Sequence, residues 1–387
     1  MDKLAFEKRL IGNLCCISSS KRIFAYEYQL SGIPFYRSKE IIEKQNNNKV
    51  SSNLYISKEK YEAIKNKFGV PQKGDLLLTS VGTLGVPYIV KDEVFYFKDG
   101  NLTWFYDFHE IISEYLYYWF LSPIGKHSIE TKCIGSTQKA LTIDTLRKFE
   151  IYVPSMEQQL KIVSILKSLD DKIELNRRIN ENLEQQAQAL FKSWFIDSTN
   201  IELNYHELGN ITSITAGGDK PSIYSKELTE KCYIPIYSNG IENEGLYGYT
   251  DLAKINSSSI TISARGTIGY ICLRTRPYVP IVRLISVIPN IEGLSAEYLY
   301  LWALTQNFSA TGTTQQQLTV PNLKKIPIGI PTKEILEKFN SIVIPIFQLI
   351  EKNKDENMKL AHLRDTLLPK LISGELKLSE IETKLNE

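Results

Sequence analysis

Several signatures are missing from the 387 residues, and each absence closes off a class of function. No Gly-x-x-x-x-Gly-Lys-Ser/Thr run is present, so nucleotide hydrolysis lacks its usual phosphate cradle. No Asn/Asp-Pro-Pro-Tyr/Phe tetrapeptide occurs, the type that amino-methyltransferases place at a target base. The three-glycine turn of a dinucleotide or methyl-donor site is also missing; Gly82-Thr-Leu-Gly85 and Gly266-Thr-Ile-Gly269 come nearest. The five cysteines (Cys15, Cys16, Cys133, Cys232, Cys272) are odd in number and show no Cys-x-x-Cys spacing, which argues against a disulfide framework or a zinc ribbon. The four histidines, His109, His127, His206 and His362, are scattered and match nothing in a second copy, which argues against a duplicated metal site. Asp75 opens a strand-like run as a nuclease carboxylate would. The next Glu-x-Lys, Glu130-Thr-Lys132, stands far downstream and is not repeated. No run of 18 apolar residues appears, and the start has no signal-peptide core. A net charge of +2 imposes neither a nucleic-acid nor a membrane partner. The expectation is a cytoplasmic, non-catalytic chain of ordinary globular composition, with no membrane association and more than one domain.

What is present is a repeat. Gln138 to Leu190 aligns with Gln315 to Leu367 at one constant offset and without a gap, placing Leu141 on Leu318, Pro154 on Pro331 and Asn176 on Asn353. Upstream the offset drifts as loops change length. Ser113-Glu-Tyr-Leu-Tyr117 matches Ala296-Glu-Tyr-Leu-Tyr300, Gly82–Gly85 matches Gly266–Gly269, and Ile33-Pro-Phe-Tyr36 pairs with Ile234-Pro-Ile-Tyr237. The chain is two copies of one plan, a variable body followed by a more constant tail: 1–153, 154–197, 198–331 and 332–387.

The tails read as long helices. Ser155-x-x-Gln158 forms a capping box, and Ile162, Leu166, Leu169, Ile173, Leu183, Ala187, Leu190 and Trp194 recur at heptad spacing. Phe339, Val343, Ile346, Ile350, Leu360 and Leu367 do the same in the second copy. Thr332 is the expected cap there, Pro345 an expected bend, and Gly374 the expected end. Asn176, Asn180, Asn353 and Asn357 interrupt the seams at matching places. A polar residue there penalises slipped registers, and an antiparallel, unstaggered pair brings the two middles together. Connectivity also favours the antiparallel pair, because the second body leaves one helix end and must enter a neighbouring one. The expected fold is α+β: two globular recognition domains separated by two long antiparallel helices, related by a pseudo-two-fold repeat, in the form of a dumbbell.

Two polar segments recur in both bodies and are the candidate contact loops. Ser80, Gly82 and Thr83 in the first body, and Arg265, Gly266 and Thr267 in the second, directly follow strand-like runs. A glycine turn there offers backbone N–H groups and a hydroxyl to a phosphate or base edge. Thr137, Gln138 and Lys139, with Thr314, Gln315 and Gln316, supply amides suited to adenine and hydroxyls suited to phosphate.

The segment from Pro154-Ser-Met-Glu-Gln-Gln-Leu through Ala189-Leu-Phe-Lys-Ser-Trp-Phe195 resembles the central conserved region of type I restriction–modification specificity subunits. Leu363-Arg-Asp-Thr-Leu-Leu-Pro-Lys-Leu-Ile-Ser-Gly-Glu-Leu376 resembles that family's distal region. The order variable, conserved, variable, conserved covers nearly the whole chain. The resemblance implies that each body reads one part of a split double-stranded DNA target, with the helices acting as a ruler for the unread spacer. It implies docking of two modification (methyltransferase) subunits and of restriction/translocase subunits. S-adenosylmethionine, ATP and Mg would be held by those partners, with no cofactor in this chain. A related bipartite-site restriction system and a protein-only coiled-coil scaffold are the competing readings. The target bases and the spacer length are not legible in the sequence.

Overall fold

The computed structural model describes residues 6–46, 50–51, 54–133, 140–308 and 317–376. Two compact units emerge. The first comprises 1–174 and 357–387, the second 175–356. Each therefore takes part of both long helices, Met156–Phe195 and Lys333–Ser373.

In the first unit an antiparallel sheet has the order Cys16–Ser18, Leu102–Tyr106, Leu76–Thr79, Pro87–Ile89. Its inner run Leu76-Leu77-Leu78 is apolar and buried on both faces, and the two-residue side-chain period divides it between two cores. Leu76 and Leu78 join the core shared with the long helices, whereas Leu77 packs with Tyr36, Tyr88, Phe97 and Trp104 on the other side. A second sheet sets Ile33–Tyr36 between Tyr55–Ile56, antiparallel, and Tyr96–Phe97, parallel. A third pairs Glu7–Leu10 with Glu150–Val153.

The second unit reproduces all three sheets strand for strand. The four-stranded order is Thr212–Ala216, Ile285–Pro289, Ser259–Ile262, Ile271–Arg274. The three-stranded sheet sets Ile234–Tyr237 between Leu246–Thr250 and Val279–Pro280, and the two-stranded one pairs Asn204–Glu207 with Pro327–Ile330. The Ile-Pro-x-Tyr match now has its cause: Phe35 opposite Tyr96 is the counterpart of Ile236 opposite Val279. The repeated Glu-Tyr-Leu-Tyr has one too. On the helices Ser113–Leu121 and Ala296–Leu304, Tyr115 donates its hydroxyl to the Tyr152 carbonyl (3.1 Å) and Tyr298 to the Gly329 carbonyl (2.6 Å). Each tyrosine thus ties its helix to the two-stranded sheet at the foot of a long helix. The units differ in additions. Helices Ser38–Gln45, Lys58–Phe68 and Pro123–Lys132 belong to the first unit and have no counterpart among the described residues of the second.

The long helices follow their sequence signals. The Ser155 N–H donates to Gln158 Oε1 (3.3 Å) and the Gln158 N–H to Ser155 Oγ (3.4 Å), which is the capping box. The second helix runs on through Pro345 and stops at Gly374, whose φ of +74° suits a residue without a β-carbon. Within each unit the two helices run antiparallel. In the second unit Phe339 packs edge-on against Phe195 (4.9 Å) and at a tilt against Trp194 (5.7 Å). Asn180 donates to the Ile350 carbonyl (3.2 Å) and accepts from Asn353 (2.8 Å), and Asn176 donates to Glu356 (2.7 Å). In the first unit Asn357 donates to the Ile173 carbonyl (3.2 Å) and Arg364 pairs with Asp170 (2.8 Å).

Polar contacts also fasten each body to its helices. Tyr118 donates to Asp170 (2.8 Å) in the first unit. In the second, Glu244 receives Lys354 (2.8 Å) and Arg274 (3.2 Å), and Arg276 reaches Asp355 (2.5 Å). Burial raises the Glu244 pKa, but Lys354 and Arg274 overcome it and hold the carboxyl below the ordinary glutamate range. A depressed folded-state pKa means stability that is present at neutral pH and lost as pH falls through that value. Urea unfolding of the wild type and Glu244→Gln should therefore differ at about pH 7, with the gap closing below about pH 4. A gap independent of pH would sink this account.

Candidate nucleic-acid interface

Beyond Leu76–Thr79 the chain reverses through Gly82-Thr-Leu-Gly85. Gly85 N–H donates to the Thr79 carbonyl (2.8 Å), Thr79 N–H to the Val86 carbonyl (3.1 Å), and Val86 N–H to Thr79 Oγ1 (2.9 Å). The second unit repeats the closure, with Gly269 N–H on the Ser263 carbonyl (2.9 Å) and Ser263 N–H on the Tyr270 carbonyl (2.9 Å). All four glycines have φ between +68° and +81°, the left-handed region. Gly85 and Gly269 also face neighbours: an added β-carbon would lie 2.5 Å from Ile129 Cδ1 and 3.3 Å from Phe308 Cβ respectively. Gly82 faces open space, and a β-carbon on Gly266 would meet only the Asn239 carbonyl oxygen, at 4.0 Å. Both glycines are exposed together with Thr83 and Thr267, so each turn offers two backbone amides and a hydroxyl to solvent.

The other candidates are placed unequally. Ser80 is turned inward, its hydroxyl 2.6 Å from Thr103 Oγ1 and 3.2 Å from the Leu78 carbonyl. It holds the turn from beneath and does not face a ligand, because the residue after a buried strand keeps the strand's alternation. Arg265 is half-exposed and donates to Gln317 Oε1 (3.2 Å). Thr137, Gln138, Lys139, Thr314, Gln315 and Gln316 lie outside the described residues. The chain on their C-terminal side is described, and it meets the glycine turn in both units: Leu141 N–H donates to the Ser80 carbonyl (3.0 Å) and Leu318 N–H to the Ala264 carbonyl (3.1 Å). Asp75 has a structural setting. Its carboxylate accepts Gln72 N–H (2.7 Å) and Trp104 Nε1–H (2.8 Å), and burial pushes its pKa up.

Two further segments join each turn, and the sequence pattern had not singled them out. In the first unit the Asn101 carbonyl accepts Ser80 N–H (2.8 Å) and Ser38 Oγ (3.1 Å), while Arg22 grips Asp99 (2.8 Å) and Ser19 Oγ accepts Gly100 N–H (3.4 Å). In the second unit Asn239 does the linking, accepting Ala264 N–H (2.8 Å) and donating to the Val282 carbonyl (2.6 Å). Val282 N–H and Arg283 N–H then bond the Gly218 and Gly217 carbonyls (2.9 and 2.8 Å). The same chain of contacts thus exists twice: glycine turn, middle turn, start of the long loop after the first strand of the four-stranded sheet. The middle turn uses Gly100 (φ +72°) in one unit but Val282 (φ +53°) and Arg283 (φ +62°) in the other. A β-branched residue in that region costs on the order of 1–3 kcal/mol. The strain presents Arg283 to solvent. In the sequence, only the turn dipeptides Asp99-Gly100 and Gly217-Gly218 hinted at these places.

Comparison with known proteins places this surface in context. A family profile described as "Type I restriction modification DNA specificity domain" matches residues 4–185 and again 200–361. The type I restriction enzyme MjaIX specificity subunit of Methanocaldococcus jannaschii is 31% identical over 80% of this chain and 79% of its own length. The HindI specificity subunit of Haemophilus influenzae is 26% identical over 62% and 72%. Among solved structures, the S subunit of a type I restriction–modification system from M. genitalium aligns over 96% of this chain and 97% of its own, with TM-score 0.59 at 19% identity, a likeness of fold.

The linked segments make one substitution diagnostic. A β-carbon on Gly217 would sit 2.6 Å from the Pro280 carbonyl carbon, whereas one on Gly218 meets only Lys254 Nζ at 3.6 Å. Gly217→Ala should lower unfolding stability by about 1–3 kcal/mol through overpacking. Gly218→Ala should stay within about 0.5 kcal/mol. Equal urea midpoints for the two variants would contradict the close approach.

Proposed function

Because the chain belongs to the type I restriction–modification DNA specificity family, we propose that it reads a two-part double-stranded DNA target, one part with each unit, for a methyltransferase and restriction complex. The observation that carries this reading is the doubled surface: two bodies with the same strand order, each presenting a glycine turn, a middle turn and a long loop. Backbone amides, Thr83 or Thr267, and the guanidinium groups of Arg265 and Arg283 suit phosphates and base edges. In this reading the length of the long helices sets the unread spacer.

Methylation and cleavage belong to the partners, which would bring S-adenosylmethionine, ATP and Mg²⁺. Two copies of a modification subunit require two equivalent docking places, and the units contain equivalent clefts between body and helix. One of about 540 Å³ is lined by Lys73, Lys91, Glu114, Asp171 and Glu174. The other, of about 740 Å³, is lined by Ser257, Thr275, Glu297, Gln348 and Glu351, the residues at the corresponding positions. Both keep a glutamate at the helix start and one on the long helix. Burial raises the pKa of Glu297 above the ordinary range. No helix among the described residues is long and apolar enough to cross a membrane.

Expression with the adjacent modification gene in a methylation-free host should yield methyladenine in one split motif, and neither gene alone should do so. A soluble complex that neither methylates nor binds DNA would refute the proposal. Arg265→Ala should weaken discrimination in the second half-site by about 1–3 kcal/mol, read by competition binding of the complex to single-base variants. Unchanged discrimination would reduce Arg265 to a brace for Gln317.

A further inference from the structure

The glycine turns are nearly the same object twice. Gly-Thr-Leu-Gly and Gly-Thr-Ile-Gly close with equivalent hydrogen bonds and expose equivalent groups. Elements that do not differ cannot make the two half-sites differ in sequence, although they can hold a phosphate in either one. Discrimination must come from what differs at the same place. The long loops between the first strand of the four-stranded sheet and the first strand of the three-stranded sheet meet that condition. They are 19–32 in the first unit and 217–233 in the second, joined to the glycine turns through the middle turns described above. They share a topological position but neither length nor exposed residues.

Both loops display large apolar side chains to solvent. Leu30 is 97% exposed and Tyr26 83%, with Phe24 stacked on Tyr26 at 5.6 Å and 5° between planes. In the second loop Leu228 is 63% exposed and Tyr224 39%. Exposure on this scale has a meaning when the backbone behind it is held, and here it is. Glu27 accepts Phe24 N–H (2.8 Å) and Lys60 (2.6 Å), Gln29 N–H bonds the Tyr55 carbonyl (2.8 Å), and Ile23 is buried. In the second loop Ser225 and Tyr249 exchange backbone bonds (2.9 and 2.8 Å), Thr250 Oγ1 donates to the Ile223 carbonyl (2.7 Å), and Cys232 is buried.

The chemistry beside these side chains indicates the occupant. Lysines lie on the aromatic rings: Lys220 is 3.5 Å from the Tyr224 ring centre, Lys226 3.8 Å from that of Tyr247, and Lys21 4.5 Å from that of Phe68. Cations interleaved with flat apolar surface match a duplex, which offers phosphates beside thymine methyls and base edges. A protein partner taken up in two copies calls for positions kept in both units, as the cleft glutamates Glu114 and Glu297 or Glu174 and Glu351 are, whereas these loops differ in length and in their exposed residues.

We propose that loops 19–32 and 217–233 add base discrimination beyond any that Arg265 supplies, through Tyr26 and Leu30 in one unit and Tyr224 and Leu228 in the other, while the two Gly-Thr-x-Gly turns make contacts common to both half-sites. This assignment rests on the proposed DNA-reading function.

The test uses the full complex with its modification subunit, after the wild-type motif has been established by methylome sequencing. Tyr26→Ala with Leu30→Ser should relax the first half-site by ~10-fold or more against single-base variants and leave the second strict. Tyr224→Ala with Leu228→Ser should do the converse. Tyr26→Phe should read normally, and Thr83→Val should weaken specific and non-specific duplex alike without altering the motif. Normal thermal melting of each complex excludes unfolding as the cause. An unchanged motif and unchanged discrimination in both loop variants would overturn the assignment while wild-type methylation upholds the DNA-reading function. Loss of the modification subunit from the loop variants would overturn it in favour of a protein contact. A wild-type complex inert towards DNA would bring down both.

Discussion

The amide pair Asn353 to Asn180, 2.8 Å long between the two long helices, is the constraint on which the second unit depends. Asn353 is 9% exposed and Asn176 1%, so their amides have little water to turn to. Leaving such a buried amide without a polar partner costs about 1–3 kcal/mol, so registers that fail to present one are penalised. Once that register holds, Lys354 and Asp355 arrive opposite Glu244 and Arg276, and Phe339 arrives between Trp194 and Phe195. The body is fixed to its helices by groups one or two residues from the asparagine. Register and body placement are therefore the same fact.

The first unit reaches the same end with other atoms. Asp170 receives both Tyr118 and Arg364, and Asn357 caps the Ile173 carbonyl. What the two units share is the geometry of attachment and the tyrosine that pins the short helix to the two-stranded sheet. Their ion pairs, added helices and outer loops differ. This division fits the proposed function, in which repeated partners meet what the units share and two stretches of DNA meet what differs. It also explains the contrast within the central strands: Leu77 faces an apolar core, whereas its counterpart Thr261 accepts a hydrogen bond from buried Arg274 (3.1 Å).

The strained turn at Val282 and Arg283 shows how a shared frame tolerates such differences. Where the first unit places glycine in the left-handed region, the second holds two side-chain-bearing residues there with bonds to the Gly217 and Gly218 carbonyls and from the Asn239 amide. Strain of this kind persists only when surrounding contacts over-determine the backbone. The surrounding contacts are those that link the three surface segments, so an exposed arginine and a contiguous surface arise from one arrangement.

The repeat, the two long helices, the Ser155 capping box, the glycine turns and the helix stop at Gly374 were all legible in the sequence, as was the family. These rest on short-range rules: heptad spacing, one side chain reaching three residues along, a φ that only glycine adopts freely. Tertiary structure alone decided that Ser80 points inward, that Asn101 and Asn239 tie the surface together, and that residues 19–32 and 217–233 border it. Those outcomes depend on backbone bonds between residues far apart in the chain. A carbonyl accepts from any N–H that folding brings to it, and so leaves no pattern in the sequence.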